Sequence, residues 1–247
     1  MRHPIVFLCD FDGTIGLQDV GELVLRRLVF PRLEPAFLEE LEANEPGSKF
    51  LYTQWYSSAP PSQEDFLELI MQAEIDVGFK ELLDLARQQG DQVVIVSDGF
   101  DAYIQPLLKR ANITGVPVYS NAMRFSPELE VAFPHHNPGC RFCGVCKAAI
   151  ALQYARRGFY TVYVGDGTSD RFPVHVANKV FAKDTLVHIC EEDGIPFDEF
   201  SSFRDIVAWY SAGEIKREKS LDLHSKCKSL KDDSLEFLNV ERAVSLV

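Results

Sequence analysis

The stretch VFLCDFDGT, residues 6–14, decides the fold prediction. Its apolar half is short and uninterrupted, which is typical of a strand buried on both faces of a sheet. Asp10 and Asp12 follow this run with a single residue between them, and a Gly-Thr pair comes next. Because ligands of open α/β sheets bind beyond the carboxyl ends of the strands, this acidic pair predicts a functional site where the strand ends.

Two further apolar runs end in polar residues in the same way. QVVIVS (residues 92–97) ends at Ser97 and continues as DGF, and YTVYVGDGTSD (residues 160–170) ends in Asp166 and Asp170. KVFAK at 179–183 reads as a fourth strand, and segments with helical periodicity separate the strands. This alternation predicts an α/β fold with a mainly parallel sheet, so the polar residues should converge at one edge.

Residues 16–90 show helical spacing of apolar residues rather than strand patterns. We therefore predict a Rossmann-like core formed by residues 1–15 and 91–213, with an α-helical cap inserted at 16–90. The remaining residues, 214–247, are charged and weakly patterned, which predicts a loose helix or a disordered tail.

The composition narrows the possible partners. The chain has 247 residues and a formal net charge of -12, without the clusters of Lys and Arg that bind nucleic acid. It has no apolar run long enough to span a bilayer and no signal-peptide pattern. We therefore predict a cytoplasmic protein with neither nucleic acid nor membrane as a partner. A small-molecule substrate and a monomer or homodimer are further expectations that do not follow from the composition.

The converging residues favour phosphoryl transfer. Crowded carboxylates are unfavourable unless a cation compensates them, and Mg²⁺ prefers oxygen ligands of this kind. Ser97 and the main chain at Gly99 offer a hydroxyl and an N–H group to an anion, and Lys147 offers positive charge. One carboxylate of the first pair can attack phosphorus, and the other can protonate the leaving oxygen and then activate water.

The motifs DFDGT, a Ser after an apolar strand, a Lys and GDGTSD together resemble the haloacid dehalogenase superfamily of phosphatases over residues 5–183. That resemblance implies Asp10 as nucleophile, Asp12 as acid/base, and Ser97 and Lys147 as further catalytic groups. It implies a Mg²⁺ site formed by Asp10, the carbonyl of Asp12 and Asp166, with Asp170 in support. The implied phosphate-binding set is Phe11, Asp12, Ser97, Gly99 and Lys147.

A helical cap between the first two motifs is the arrangement of the phosphoserine phosphatase-like branch. Phosphoserine enzymes usually carry a Glu nine residues after the nucleophile, whereas this chain has Asp19. The segments SDGFDAYIQPLL, FPHHNPGCRFCGVCK and VGDGTSDRFPVHVANKVFAKDTL resemble the methionine-salvage phosphatases, which act on 2-hydroxy-3-keto-5-methylthiopentenyl-1-phosphate. Phosphocholine and phosphoethanolamine phosphatases have a similar Cys-rich segment before their Lys, so these two substrates and phosphoserine stay possible alternatives.

Candidate substrate contacts are Asp19, Glu22 and Phe100, together with the aromatic residues Tyr52, Trp55 and Tyr56.

The segment before Lys147 has three cysteines with C-x2-C-x2-C spacing, Cys140, Cys143 and Cys146, and His135 lies just before them. Three thiolates and one imidazole are a possible tetrahedral zinc site. The alternative is a tight loop of reduced cysteines that positions Lys147.

Two other classes of protein compete with the enzyme interpretation. A two-component receiver domain also groups acids, a hydroxyl residue and a Lys around Mg²⁺, but it is about half this length and has no cap. A non-catalytic zinc-binding interaction protein on a phosphatase scaffold is the second alternative.

Overall fold

The computed structural model describes residues 3–43 and 47–213. Their centre is a seven-stranded sheet of order β4-β3-β2-β1-β5-β6-β7. All neighbouring strands are parallel except the antiparallel pair β3–β4. The strands are β1 (Ile5–Cys9), β2 (Gln92–Phe100), β3 (Val118–Phe125), β4 (Leu129–Ala132), β5 (Tyr160–Gly165), β6 (Lys179–Ala182) and β7 (Asp198–Glu199). The predicted α/β class with a mainly parallel sheet is therefore confirmed.

Helices cover both faces of this sheet, which explains why β1 is apolar at every position. Ile5, Phe7 and Cys9 belong to one buried cluster, and Val6 and Leu8 belong to the other. The helices that follow β2 are α6 (Asp101–Arg110), α7 (Lys147–Arg156), α8 (Thr185–Asp193) and α9 (Phe203–Ala212). A strand buried on both faces has no polar positions until it ends, so the first acids come at its carboxyl end.

The connection from β1 to β2 is helical, as predicted. Its helices are α1 (Val20–Val24), extended by a π-helical turn at Leu25–Val29, α2 (Pro35–Glu42), α3 (Ser48–Ser58), α4 (Gln63–Ile70) and α5 (Val77–Gln89). Ser62 accepts a hydrogen bond from the N–H of Asp65 at the start of α4, and Gly90 ends α5 in a left-handed conformation. The helix α5 packs against α9 and against strand β2, so it contacts the sheet directly. The division into core and cap at residues 16 and 90 stays a prediction.

Two buried aspartates attach α9 to the rest of the fold. Asp76 accepts hydrogen bonds from the N–H groups of Gly78 and Phe203, at 2.8 and 2.9 Å. Asp91 accepts one from the N–H of Ile5 at 2.8 Å and one from the hydroxyl of Tyr210 at 2.5 Å. These carboxylates therefore have a structural role that is separate from the strand-end acids.

The strands β3 and β4 form a hairpin, and Pro127 lies in its turn after a cis peptide bond. The first half of β3 pairs with β2, and its second half pairs with β4. The tail prediction for residues 214–247 falls outside the described residues. Among the described residues, no helix has the length and apolar character that crossing a membrane requires. The predicted cytoplasmic location stays a prediction.

Candidate active site

The site lies at β1, where the order of the strands in the sheet reverses: the chain adds β2 on one side of β1 and later adds β5 on the other side. The sheet places β2 on one side of β1 and β5 on the other, so the residues after these three strands meet at the same edge. Such a switch point opens a crevice beyond the strand ends. The structure thus brings together Asp10 after β1, Ser97 within the end of β2, and Asp166 after β5.

The turn after β1 depends on glycine. Gly13 has φ +68°, and a Cβ at this position would overlap the carboxylate of Asp166. On the same turn, the N–H of Phe11 donates to Oδ1 of Asp10 at 2.7 Å. The DFDGT motif therefore allows the Asp166 carboxylate to approach the turn that carries Asp10 and Asp12.

Lys147, the first residue of α7, is the central cation of the site and only 3% of its surface is exposed. Its Nζ lies 2.8 Å from Oδ2 of Asp10, 2.7 Å from Oδ1 of Asp170 and 2.7 Å from Oγ of Ser169. Burial alone would lower the pKa of Lys147, but Asp10 and Asp170 raise it above its usual value. The lysine therefore remains protonated and joins segments from β1, α7 and the loop after β5.

Asp170 is fully buried, and hydrogen bonds occupy both of its oxygens. Oδ1 accepts from Lys147 and from the hydroxyl of Tyr163 at 2.5 Å. Oδ2 accepts from the N–H groups of Asp166 and Gly167 at 3.0 and 3.1 Å. With this many donors, Asp170 is suited to holding Lys147 and the 166–167 turn in place.

The acidic cluster fits a hard cation. Within residues 3–43 and 47–213, Asp10, Asp166 and Asp170 form the one group of three or more His, Cys, Asp or Glu with potential ligand atoms within 4.8 Å of one another. Carboxylate oxygens are the donors that Mg²⁺ prefers. The hydroxyl of Thr14 donates to Oδ1 of Asp166 at 2.8 Å and so orients that carboxylate.

The pKa values of the cluster show why a cation is favourable there. Burial, and then the charge of Asp170, raise the pKa of Asp10 well above its usual range, against the opposing effect of Lys147. Burial and Asp170 likewise raise the pKa of Asp166 to about 6. Both acids resist ionisation in the protein alone, so a bound divalent cation would stabilise the charged forms.

Asp12 lies in a different environment from Asp10, although only Phe11 separates them. Its Oδ1 accepts from the N–H groups of Val20 and Gly21 at 2.9 and 3.3 Å, and its Oδ2 accepts from the hydroxyl of Tyr103 at 2.5 Å. Burial, followed by the charge of Asp19, raises the pKa of Asp12 to about 7, whereas these donors lower it. A carboxyl group that titrates near neutrality is suited to both giving and taking a proton.

The end of β2 provides hydroxyl and main-chain groups. The N–H of Gly99 donates to Oγ of Ser97 at 3.0 Å. Asp98, which lies between Ser97 and Gly99 in the sequence, accepts hydrogen bonds from the N–H of Val145 at 2.8 Å and from the side chain of Ser48. Asp98 thus connects β2 to the loop before Lys147 and to the first residue of α3.

These residues surround a cavity of about 240 Å³. Its lining consists of aspartates, hydroxyl residues and main-chain turns, namely Asp10, Asp12, Asp19, Ser48, Tyr52, Ser97, Asp98, Gly99, Asp166, Gly167, Thr168 and Ser169. A larger groove of about 920 Å³ lies between the helical segment and the β3–β4 hairpin, and the acidic cluster does not line it. The smaller cavity is the candidate active site because it contains the converging groups.

The predicted substrate contacts are not all in this cavity. Asp19 lines it and also accepts a hydrogen bond from the N–H of Glu22 at 2.6 Å. Glu22 itself is exposed and pairs with Arg26 at 2.6 Å.

Phe100 is buried and packs edge-on against Tyr52 and Tyr56, with ring centroids 5.1 and 5.4 Å apart. Of the aromatic candidates, Tyr52 lines the cavity, Tyr56 lines the larger groove and Trp55 packs on Phe30.

The structure does not support the predicted zinc site. Among the described residues, the potential ligand atoms that lie close together are those of Asp10, Asp166 and Asp170. The four candidate zinc ligands, His135, Cys140, Cys143 and Cys146, do not form such a group. His135 is buried with its ring 5.1 Å from that of Tyr119, and its carbonyl accepts from the N–H of Cys146. The three cysteines border a small void beside Lys147, and the alternative of a tight loop that positions the lysine stays a prediction.

The sequence interpretation missed three residues that contact the site. Tyr103 donates to Asp12, Asp98 bridges three segments, and Ser169 accepts from Lys147. Asp98 and Ser169 lie inside the recognised motifs SDG and GDGTSD, so their positions in the sequence could have predicted that they contact the site. Tyr103 lies in the quoted segment SDGFDAYIQPLL, but nothing singled it out there, because an aromatic residue at helical spacing is usually a core residue.

The chain matches the model of the haloacid dehalogenase-like hydrolase family over residues 7–171. It is 32% identical to a 2-hydroxy-3-keto-5-methylthiopentenyl-1-phosphate phosphatase of Exiguobacterium sibiricum, over 85% of this chain and 98% of that protein. It is 28% identical to the protein of the same name from Brevibacillus brevis, over 84% and 95% of the two chains.

Solved structures with similar folds include phosphoserine phosphatases. A phospho-aspartyl intermediate analogue of phosphoserine phosphatase superposes with a TM-score of 0.63 at 18% identity, covering 84% of this chain and 99% of that one. A probable phosphoserine phosphatase of Vibrio cholerae gives 0.61 at 19% identity, covering 85% and 64%. At such identities these matches establish the fold, and they agree with the predicted Rossmann-like architecture.

The family match and the phosphatase relatives together confirm the prediction of an enzyme of the phosphoric monoester hydrolase class. They do not support the receiver-domain or the zinc-binding interaction alternatives. The family match covers well over half of the 247 residues and includes Asp10, Ser97, Lys147 and Asp166. The chain belongs to the haloacid dehalogenase-like hydrolase family.

Proposed function

We propose that this protein is a Mg²⁺-dependent phosphomonoesterase that hydrolyses a small metabolite through an aspartyl-phosphate on Asp10. One observation carries the proposal. Lys147 contacts Asp10, Asp170 and Ser169 simultaneously, at the point where the ends of β1 and β5 meet. A buried lysine beside a carboxylate nucleophile offsets the repulsion between that carboxylate and a phosphate dianion.

Asp10, Asp166 and the main-chain carbonyl of Asp12 would hold the cation, with Asp170 orienting the surrounding groups. Their oxygen chemistry fits Mg²⁺, which supplies positive charge to the phosphoryl oxygens when bound. Ser97, the N–H of Gly99 and Lys147 would contact the remaining phosphoryl oxygens. These groups fix the phosphorus in line with a carboxylate oxygen of Asp10.

In the first step, Asp10 attacks phosphorus, and the bond between phosphorus and the ester oxygen breaks. Asp12 gives its proton to that oxygen, so the product leaves as a neutral alcohol or enol. In the second step, Asp12 takes a proton from a water molecule, which attacks the phosphorus of the aspartyl-phosphate. Inorganic phosphate leaves, and Asp10 and the protonated Asp12 are restored.

The lining of the cavity supports a restricted class of leaving groups. Among the described residues, five of the twelve lining residues are aspartates and none is Lys, Arg or His. The carboxylate of phosphoserine would find no cationic partner in such a lining, apart from Lys147 behind Asp10. The hydroxyl groups of Ser48 and Tyr52 suit hydroxyl and keto groups instead. We therefore propose a substrate like 2-hydroxy-3-keto-5-methylthiopentenyl-1-phosphate, on which the relatives' names report activity.

The same acidic lining also favours a second candidate class. A cationic head group, as in phosphocholine or phosphoethanolamine, would be attracted by Asp19 and Asp98 and could stack on Tyr52. These compounds therefore belong in the same screen.

The test is a phosphate-release screen with Mg²⁺ over the methionine-salvage enol phosphate, phosphoserine, phosphocholine, phosphoethanolamine and pyridoxal phosphate. Asp10→Asn is the inactive variant. Asp84→Asn is the matched control, because Asp84 is a half-exposed aspartate on α5 that pairs with Lys80. We expect release by the wild type and Asp84→Asn, none by Asp10→Asn, and preference for the enol phosphate. Release that persists undiminished in Asp10→Asn, or no release from any ester, would overturn the proposal.

A further inference from the structure

We propose that Tyr103 is a positioning residue that holds the Asp12 carboxyl group in the orientation for proton transfer to the leaving oxygen. The inference rests on the proposed function, because it assigns a role that depends on Asp12 acting as acid and base. It adds a residue that lies within the segment SDGFDAYIQPLL but is not among the predicted site residues.

Tyr103 is placed for this role by packing on every side. It is the third residue of α6, only 1% of its surface is exposed, and its ring lies 6.2 Å from that of Phe11. Its hydroxyl fits between two glycines. A Cβ at Gly99 would overlap the hydroxyl oxygen, and a Cβ at Gly21 would lie 3.1 Å from it. The two glycines thus leave the space through which the hydroxyl reaches Asp12.

The hydroxyl of Tyr103 donates to Oδ2 of Asp12 at 2.5 Å, and an ionised carboxylate can only accept. The other oxygen of Asp12 accepts from the N–H groups of Val20 and Gly21. The carboxyl group is therefore held from the α6 side and from the α1 side, and rotation about its last torsion would break both sets of bonds.

Tyr103 itself does not line the cavity, whereas Asp12 does. The tyrosine therefore acts through Asp12 and does not contact the substrate directly. Without its hydroxyl, the Asp12 carboxyl group would keep only the main-chain donors near the entrance to α1. We expect Tyr103→Phe to misplace the proton donor while leaving Asp10 and Lys147 in position.

The leaving group provides a test that a general loss of structure would not mimic. An alkyl or enol phosphate needs a proton on the departing oxygen, whereas p-nitrophenyl phosphate releases a stabilised anion. For Tyr103→Phe we expect kcat/KM with the alkyl or enol ester to fall about 10- to 100-fold, which is less than the roughly 10²- to 10⁴-fold contribution of general acid catalysis because Asp12 itself remains. With p-nitrophenyl phosphate we expect a change of less than about three-fold, since kcat/KM reports only the first chemical step.

Two further variants separate positioning from folding. Tyr210→Phe is the matched control, because Tyr210 is also buried and donates to a buried aspartate at 2.5 Å, but on α9 and away from the cavity. It should leave the ratio of kcat/KM between the two leaving groups unchanged. The double variant Tyr103→Phe/Asp12→Asn should lose no more activity than Asp12→Asn alone, because the tyrosine acts through the aspartate.

An equal fall with both leaving groups, no fall with the alkyl ester, or additive losses in the double variant would overturn the inference. These outcomes are distinguishable from failure of the proposed function itself. That failure would appear first as undiminished turnover in Asp10→Asn, or as no turnover in the wild type.

Discussion

The wall of the cavity that comes from the sheet differs from the wall that comes from the helical segment in how its charges are balanced. On the sheet side, Asp10 and Asp170 share the cation of Lys147. On the helical side, Asp19 has its carboxylate capped by an N–H group, and its neighbours are the hydroxyls of Ser48 and Tyr52. The first wall is therefore suited to a dianion with a metal, and the second to an uncharged or cationic group.

Asp12 lies at the boundary between the two walls. Its partners are neutral donors from α1 and α6, so neither Lys147 nor the Asp166 cluster fixes its charge. Two aspartates separated by one residue thus acquire different properties because different segments surround them. This difference supports the proposed division of roles, in which one carboxylate attacks phosphorus and the other moves a proton.

The largest expected effect comes from removing the cation of the sheet wall. In Lys147→Met, Asp10 and Asp170 would remain buried without their shared partner. We expect the free energy of unfolding to fall by about 3–5 kcal/mol, as when a buried ion pair is broken. We expect kcat to fall by at least about 10²-fold, as when one preorganised donor is lost. Urea unfolding and phosphate release measure the two effects.

Lys80→Met is the control for this experiment, because Lys80 pairs with Asp84 on an exposed surface of α5. Such surface pairs contribute about 0–1 kcal/mol. If Lys147→Met retained the stability and activity of Lys80→Met, the contrast between the two walls would not hold.

The sequence was informative for the sheet wall because residues that follow neighbouring parallel strands lie at the same edge of the sheet. Asp10, Ser97 and Asp166 each follow an apolar run, and neighbouring parallel strands bring such residues to one edge. The catalytic roles of these residues stay predictions, but their meeting is what the pattern implied. The order of the motifs also identified Lys147 among the lysines.

The same reasoning could not reach the helical wall or the cysteine loop. Glu22 was selected for its place at the start of α1, yet its side chain turns outward to Arg26. The spacing of Cys140, Cys143 and Cys146 is compatible with zinc, but the path of the loop decides whether ligands converge. Contacts such as Tyr103 with Asp12 join segments 91 residues apart, and no local pattern specifies them.

A smaller effect should distinguish the walls by their response to pH. The pKa of Asp166 is raised to about 6, above its ordinary value of 3.8. A carboxyl group with a raised pKa favours the folded state while protonated, so its contribution is lost as the pH rises from about 4 through 6. We expect Mg²⁺ to raise the melting temperature more at pH 7.5 than at pH 4.5, because the cation stabilises the ionised cluster.

Differential scanning fluorimetry with Mg²⁺, and with NaCl at matched ionic strength as control, measures this difference. Asp166→Asn should reduce the stabilisation by Mg²⁺ at pH 7.5. Equal stabilisation at both pH values, or an unchanged response in the variant, would argue against a cation site on the sheet wall.

The smallest expected effect lies on the helical wall. Ser48, the first residue of α3, accepts from the N–H of Gly144 at 3.2 Å and hydrogen-bonds to Asp98. It therefore ties the helical segment both to β2 and to the loop that leads to Lys147. We expect Ser48→Ala to lower kcat/KM about five-fold, the equivalent of about 1 kcal/mol for lost neutral hydrogen bonds. Steady-state kinetics with the preferred substrate measures it.

Ser57→Ala is the matched control, because Ser57 lies near the other end of α3 and its hydroxyl donates only within its own helix, to the carbonyl of Gln54. The loss in Ser48→Ala should appear mainly in KM, since this residue helps to form the wall around the leaving group and touches neither Asp10 nor Lys147. A fall confined to kcat would instead mean that Ser48 acts through the loop that leads to Lys147. In that case the two walls would be coupled, and the separation of phosphate binding from leaving-group recognition would have to be abandoned.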